Sequence, residues 1–467
     1  MSLPEVNIAV QDPNLGIVPE AIDGITAAVG ICSSGAANEV HNFSDKQALK
    51  DALGVGPLVE YAAHLLDVAG GPIRCVRATQ AVAGAPGSVT KSGSGPTMTV
   101  AGDAKDAYQV IVEIVTGGVL GVGSFKYSLD GGDTYSPEIA LPSGGTYALP
   151  DTGLTLTFPA GTYVAEETYS CSCTAPLYDA TTLAAALDAL LASPLEWRFV
   201  AIVGQAASGA ASATLAGTLS TKMASAATNY RYARAMMQAA DDTDANLITA
   251  FSAFDDGRVT VVAGHAEIGS SITGRPEKRG ALTAVGARAA KAPVHEDLGR
   301  VASGSLPGVS SLYRDERVKQ ALDSQRFTTL RSFVGMNGYY ITAGRTMASK
   351  TSDFQLQQNG FVIDKACRTL RNALLPYLND SVRVNKTTGY ILEEDAQAIE
   401  QDVQGQLEAS IIAPGNASSV EAKVKRDENI LSSQTLRVTV SVVPLGYARA
   451  ISAEIGLKNP ALTPTAQ

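Results

Sequence analysis

Trp197-Arg198-Phe199-Val200-Ala201-Ile202-Val203 runs almost without interruption in apolar side chains. A strand of that kind fits a sheet covered on both faces, as parallel sheets are. The flanking patterns agree. Upstream, Thr181 to Leu191 places Leu183, Leu187, Leu190 and Leu191 on one helical face. Downstream, the patterning predicts a helix over Ala213–Ala227, a strand over Tyr230–Met236, a helix over Asp244–Phe254 and a strand over Arg258–Ala263. Strands and helices in that alternation predict a parallel α/β core.

Residues 21–84 extend the same pattern. Ile25 to Ile31 and Ile73 to Ala78 read as strands. Ser44 with Gln47 has capping-box spacing and opens a short helix ending near Gly54. Pro57 starts a second helix, with Leu58, Tyr61, Ala62, Leu65 and Leu66 on one stripe and Gly70-Gly71 as the stop.

Between residues 85 and 175 helix signals vanish. Short β-rich runs (Thr97–Val100, Tyr108–Val115, Ser124–Leu129, Leu154–Phe158, Thr168–Cys173) alternate with Gly- and Pro-containing turns. Such spacing predicts a small sandwich or barrel. Because α/β patterning resumes directly afterwards, this segment reads as an insertion, with 21–84 plus 176–310 as the core.

Residues 311–448 read as a separate α+β unit. A helix is expected over Arg314–Gln325, strands over Phe327–Val334 and Gly338–Ala343, and the longest helix over Asn359–Leu378, with Ile363, Ala366, Cys367, Leu370, Leu374 and Tyr377 facing inward. A second helix, Gly389 to Ser410, carries Glu393, Glu394, Asp395, Glu400, Asp402 and Glu408. Leu436, Val438, Val440 and Val442 then alternate with Arg437, Thr439 and Ser441, the signature of a half-buried strand. After Pro444 and Gly446, Ile451, Ala453 and Ile455 alternate again. At the other end, Val6, Ile8 and Val10 alternate with polar neighbours before Asp12-Pro13-Asn14 breaks the run. Residues 1–20 and 449–467 thus read as arms: strands without an evident partner, lying at a sheet edge or given to another subunit.

Composition narrows the class. Of 467 residues, 45% are hydrophobic and only 18% charged, fewer charges than the usual quarter, which hints at surface covered by neighbours. With 36 basic against 46 acidic residues the net charge is −10, and no basic stripe suggests direct nucleic-acid binding. Arg275, Lys278, Arg279 and Arg288 read as a solvated helix face. No apolar run is long enough for membrane insertion; the nearest, Thr182 to Val203, contains Asp188, Glu196 and Arg198. The start, Met1-Ser2-Leu3-Pro4-Glu5, has no signal-peptide pattern. Five cysteines (Cys32, Cys75, Cys171, Cys173, Cys367) fit a reducing compartment better than a disulfide scaffold.

Catalytic signatures are absent from the sequence. There is no phosphate loop, no G-x-G-x-x-G after a core strand and no G-x-S-x-G elbow. His41, His64, His265 and His295 show no metal-ligand spacing. His265-Ala266-Glu267 matches half a zinc-deaminase motif but lacks P-C-x-x-C. His64 reads as a semi-buried helix residue, Cys171-Ser172-Cys173 as small strand residues, Asp130-Gly131-Gly132-Asp133 as a hairpin turn, and Glu393-Glu394-Asp395 as carboxylates at a helix start. No catalytic residue, cofactor or metal is expected.

The last third resembles a known family. Gln325-Arg326-Phe327-Thr328-Thr329-Leu330-Arg331 resembles the segment that opens the C-terminal domain of contractile phage tail sheath proteins. Gly338-Tyr339-Tyr340-Ile341-Thr342-Ala343-Gly344-Arg345-Thr346-Met347-Ala348, followed by Ser352-Asp353-Phe354, is similar to that domain too. So is the ending Val443-Pro444-Leu445-Gly446-Tyr447, a strand, then Ile455-Gly456-Leu457 and Asn459-Pro460. The likeness is close over residues 310–460 and loose over 1–84 and 176–300, with 85–175 as a variable insertion on the outer surface.

The resemblance implies a non-enzymatic subunit of stacked hexameric rings around a tail tube. Its partners would be further copies of itself, the tube protein, and the baseplate and tail terminator proteins. It would be made in the host cytoplasm and reside in the virion tail, and its contraction would drive the tube through the host envelope. Val6, Ile8 and Val10 and Ile451, Ala453 and Ile455 would be the donated strands, with Leu436, Val438, Val440 and Val442 in the receiving sheet, and Gly415, Asn416 and Ser418-Ser419 loosening its approach. An inter-strand hydrogen bond contributes about 0.5–1.5 kcal/mol net, whereas ordering a free arm costs about 1–2 kcal/mol per residue. Burial of the apolar face must therefore tip the balance, at about 25 cal/mol per Å². The competing readings are an α/β enzyme with an accessory β domain and a surface binding module.

Overall fold

Phe199–Ile202, wholly buried, lies in the interior of a six-stranded sheet in the computed structural model, which describes residues 22–457. In chain order this sheet takes β1 (Thr26–Gly30), β2 (Val40–Phe43) and, after helices α1 (Lys46–Leu53) and α2 (Pro57–Ala69), β3 (Ile73–Arg77). Asp45, not Ser44, caps α1, accepting from the Ala48 amide at 2.9 Å; Gln47 bonds Asp51 instead of closing a capping box. Pro57 opens α2, and Gly70, at φ 85°, ends it by donating to the Leu66 carbonyl.

The insertion follows: β4 (Thr90–Ser92), β5 (Thr99–Gly102), β6 (Tyr108–Thr116), β7 (Ser124–Ser128), β8 (Ile139–Ala140), β9 (Thr146–Ala148), β10 (Leu154–Thr157) and β11 (Thr168–Cys173). They form two antiparallel sheets, β5-β10-β9 and β4-β11-β6-β7-β8. One core joins them, containing Phe125, Leu156, Phe158, Tyr163, Tyr169, Cys171 and Cys173. The Phe125 and Phe158 ring centres lie 5.0 Å apart. This is a sandwich, entered and left through the Val82–Leu177 bridge.

The core then resumes with α3 (Ala180–Ala192), β12 (Phe199–Ile202), α4 (Gly209–Thr228), β13 (Arg234–Gln238), α5 (Asp244–Phe251) and β14 (Val259–Val262). The strand order is β14-β13-β12-β1-β3-β2, parallel except for β2. β13 starts at Arg234 rather than Tyr230, because Tyr230 takes φ 61° and Arg231 still donates back to Ala226 at the helix exit.

A small sheet that the sequence patterning did not reveal comes next, in order β16-β15-β17: β15 (His265–Gly269), β16 (Pro276–Gly280) and β17 (Val309–Leu312), with α6 (Leu282–Lys291) between the last two. It corrects the expected basic helix face. Lys278 and Arg279 sit on β16, Arg279 is drawn into a buried ion cluster, and Arg288 on α6 donates to the carbonyls of Ser303, Gly304 and Ser305.

Residues 314–325 do not form the expected helix. Asp315 and Glu316 accept from the amides of Arg317, Ala321 and Asp323, competing with helical bonding, and only a 3-10 turn at Asp323–Gln325 remains. The expected strands shrink to β18 (Leu330–Arg331) and β19 (Tyr340–Ile341). Thr328 instead continues the core sheet, bonding Val261 and Ala263 at the β14 edge.

α7 (Gln357–Leu374) is shorter than expected and second in length to α4. Its buried face is Phe361, Val362, Asp364, Ala366 and Ala373. Of the expected inward set only Ala366 is buried; Ile363, Cys367, Leu370, Leu374 and Tyr377 are half-buried. The facing β-strands decide this rotation: Phe361 meets Phe199, and Asp364 pairs with Arg234.

The chain divides after Ser381, within the expected 311–448 span. The second unit contains α8 (Glu393–Leu407), a π-helical turn (Glu408–Ile412), β20 (Ser419–Val424), α9 (Ile430–Ser433) and β21 (Val438–Val443). The mixed α/β, multidomain fold class read from sequence holds. The terminal strand pair does not: β21 pairs with β20, whose alternation was not read, and the described residues after Val443 contain no strand.

Candidate subunit interface

In the second unit β20 and β21 form a two-stranded antiparallel sheet, with Ala422 opposite Val440 and Val424 opposite Val438. α8 covers one face of β20. Ala396, Ile399, Val403 and Leu407 are buried on the helix, and Val420, Ala422 and Val424 on the strand. The cover thins at β21, where Val438, Val440 and Val442 are only half-buried.

Hydrogen bonding alternates along an antiparallel pair. Lys425 donates to the Arg437 carbonyl, so the odd-numbered residues of both strands face each other. The amides and carbonyls of Val438, Val440 and Val442 therefore point out along the other edge of β21. Among the described residues no strand or side chain bonds to that edge. An open edge bearing half-buried valines is a template for a further strand.

The sequence-predicted residues divide three ways. Val438, Val440 and Val442 are on this strand, and Leu436 lies half-buried just before it. Ile451, Ala453 and Ile455 are exposed and belong to no strand. Val6, Ile8 and Val10 lie outside the described residues. The expected loose approach is tied down: Asn416 is buried, Ser419 begins β20, and Ser418 donates to the carbonyls of Val443 and Pro444.

Sequence reasoning missed the polar frame of the sheet. Arg426, just past β20, grips Glu400 (2.7 and 2.9 Å) and Glu393 (2.6 and 2.9 Å) of α8. These bonds hold both carboxyls below the usual carboxylate range. The signal was available: Val420-Glu421-Ala422-Lys423-Val424 alternates as strictly as β21. Asp395 at the α8 start is bound by Arg383, consistent with a helix-start role.

The Cys173 thiol is pushed up to about 12 by burial and by Cys171. Asp130 caps its own turn, accepting from Thr134 and Ser128. His64 is buried, and burial lowers its pKa. It is buried rather than semi-buried as the sequence suggested, and its Nε2 has no hydrogen-bond partner. A cavity of about 520 Å³ lies between the sandwich, the core strand ends and β16. Its polar wall is internally bonded: His265 to Gln205, Lys278 to Asp241, Arg279 to Asp106, and Glu267 to Ser310 and Ser311.

This mixed α/β fold matches that of contractile tail sheath proteins. The chain is similar to the sheath tail protein of Desulfitobacterium hafniense, with a TM-score of 0.50 at 13% identity, covering 95% of this chain and 100% of that one. It is similar to the anti-feeding prophage helical sheath in the contracted state, with a TM-score of 0.55 at 11% identity (98% and 99% covered). For a chain of the anti-feeding prophage baseplate the TM-score is 0.56 at 11% identity (98% and 99% covered). No curated protein matches it. The chain belongs to the DUF2586 family: the N-terminal domain model matches residues 3–345 and the C-terminal domain model residues 353–462. No helix among the described residues is long and apolar enough to cross a membrane.

Proposed function

We propose that this protein is the structural, non-catalytic subunit of the contractile sheath of a phage tail or a phage-tail-like particle. It polymerises as stacked hexameric rings around a tail tube, bounded by baseplate and terminator proteins. Contraction drives the tube through the host envelope. The insertion at 85–175 faces outward, and residues 1–20 and 449–467 are the arms that link neighbouring copies.

The open edge of β21 carries this reading. Its occupant is a strand from a second copy of the chain. Val6, Ile8 and Val10 have the required alternation, and Ile451, Ala453 and Ile455 are exposed, apolar and unpaired in strand terms. The half-buried valines of β21 supply the apolar face that hydrogen bonding alone cannot replace. Similarity to a sheath solved in its contracted state supports the mechanical role.

Electron microscopy of the purified full-length chain tests it, with tubes or stacked rings expected. Removing residues 1–20 should abolish them while circular dichroism and thermal unfolding stay those of a folded subunit. Ordered tubes from the truncated chain would remove the N-terminal arm from the account.

A further inference from the structure

We propose that Gln404 and Glu400 of α8 guard the outer edge of β20, so that the sheet accepts neighbours' strands only at β21. This rests on the reading that β21 receives strands from other copies. It adds a direction: both donated strands are laid down in series outward from β21, not one on each side of the sheet.

In the β20–β21 register Ser419, Glu421 and Lys423 turn their backbone groups to β21, while Val420, Ala422 and Val424 turn theirs away. Left open, that side would be a second free edge. It is closed instead by side chains. Gln404 Nε2 donates to the Val420 carbonyl at 2.9 Å, and Gln404 Oε1 accepts from the Ala422 amide at 3.0 Å. Glu400 Oε1 accepts from the Val424 amide at 2.6 Å. One side-chain amide thus mimics a strand's peptide group, offering a donor and an acceptor side by side.

The spacing explains the fit. Four residues along a helix rise about 6 Å, and two residues along a strand about 6.8 Å. Residues 400 and 404 therefore meet successive outward amides of β20. Arg426 keeps the Glu400 carboxylate in position through two further bonds. The β21 edge has no such guard among the described residues, so the two edges of one sheet differ in kind.

Amide exchange at single-residue resolution tests this on the full-length chain, as unassembled subunit and as polymer. In the native sequence, Ala422 and Val424 should be protected in both states. Val440 and Val442 should exchange freely in the subunit and slow on assembly. Replacing both guards (E400A with Q404A) should speed exchange at Ala422 and Val424 in the subunit by roughly tenfold, the loss of one amide hydrogen bond. Glu421 and Lys423 should stay protected, showing that the sheet persists. Glu400→Gln, which keeps an acceptor, should retain protection at Val424. If the double variant loses the Glu421 and Lys423 protection as well, Gln404→Ala alone reads the effect at Ala422.

Free exchange of Ala422 and Val424 in the native subunit, followed by protection on assembly, would overturn the guard and make β20 a second docking edge. Protection unaffected by removal of the guards would overturn it too. Tubes in which Val440 and Val442 gain no protection would instead overturn strand addition itself, and with it this inference.

Discussion

Arg279 holds Asp106 with two hydrogen bonds of 2.8 and 2.7 Å, joining β16 to the inserted sandwich. The same guanidinium contacts Glu277, and all three side chains are largely buried. Glu60 of α2 faces the cluster, with Ser270 and Lys50 beside it, and Tyr108 approaches from the sandwich. Three carboxyls thus gather around one guanidinium.

The clasp should weaken as pH rises. Burial, opposed by Arg279 and reinforced by Glu60 and Asp106, pushes the Glu277 carboxyl up to about 7 from an ordinary 4.5. A folded-state value above the unfolded one means that its stabilisation is complete below about pH 4.5 and lost as pH passes 7. The loss is on the order of 3 kcal/mol. Glu277→Gln should raise the unfolding temperature at pH 8 and flatten its dependence between pH 5 and 8 relative to the native chain, as read by calorimetry. An unchanged pH profile would discount Glu277 as the titrating group.

Arg234 and Asp364 form a buried pair at 2.8 Å between β13 and α7, with side chains 4% and 3% exposed. Asp364→Ala would strand the guanidinium and should cost about 3–5 kcal/mol. The apolar exchange of both residues, Arg234→Met with Asp364→Leu, should recover most of that loss. Urea unfolding distinguishes the two outcomes.

Gly360 on α7 lies against that pair. A Cβ there would overlap the Arg234 guanidinium. Helix propensity alone favours alanine by about 1 kcal/mol, but overpacking costs about 1–3 kcal/mol, and here it also displaces a buried ion pair. Gly360→Ala should therefore destabilise, whereas Gly217→Ala on α4, with open space around it, should stabilise.

The core was legible because strands buried on both faces, such as Phe199–Ile202, must be apolar throughout. The sandwich was legible through its turns. β20 was not read: charges occupy its exposed face, and Ala422 breaks the run of large apolar residues. Residues 314–325 have helical spacing, but Asp315 and Glu316 spend their oxygens on local amides. Glu400 and Gln404 have the composition of an ordinary solvent-facing helix; only the strand beneath them gives them a purpose. Tertiary contacts, invisible to periodicity, also chose which face of α7 turns inward.

Charge placed on the two strands of the terminal sheet should separate folding from assembly. Val420 is 7% exposed beneath α8, so Val420→Glu buries a carboxylate under that helix and should unfold the second unit, with loss of Glu421 and Lys423 amide protection. Val440 is half-buried at the open strand, and a glutamate there can turn to water in the isolated subunit. Val440→Glu should change subunit stability by about 1 kcal/mol or less, yet place a carboxylate beside the apolar side chains of a neighbour's strand added at the β21 edge. Sedimentation and microscopy should then find folded, unassembled protein. Normal tubes from Val440→Glu would mean that Val440 stays wet in the assembly and that no apolar strand is added at the β21 edge.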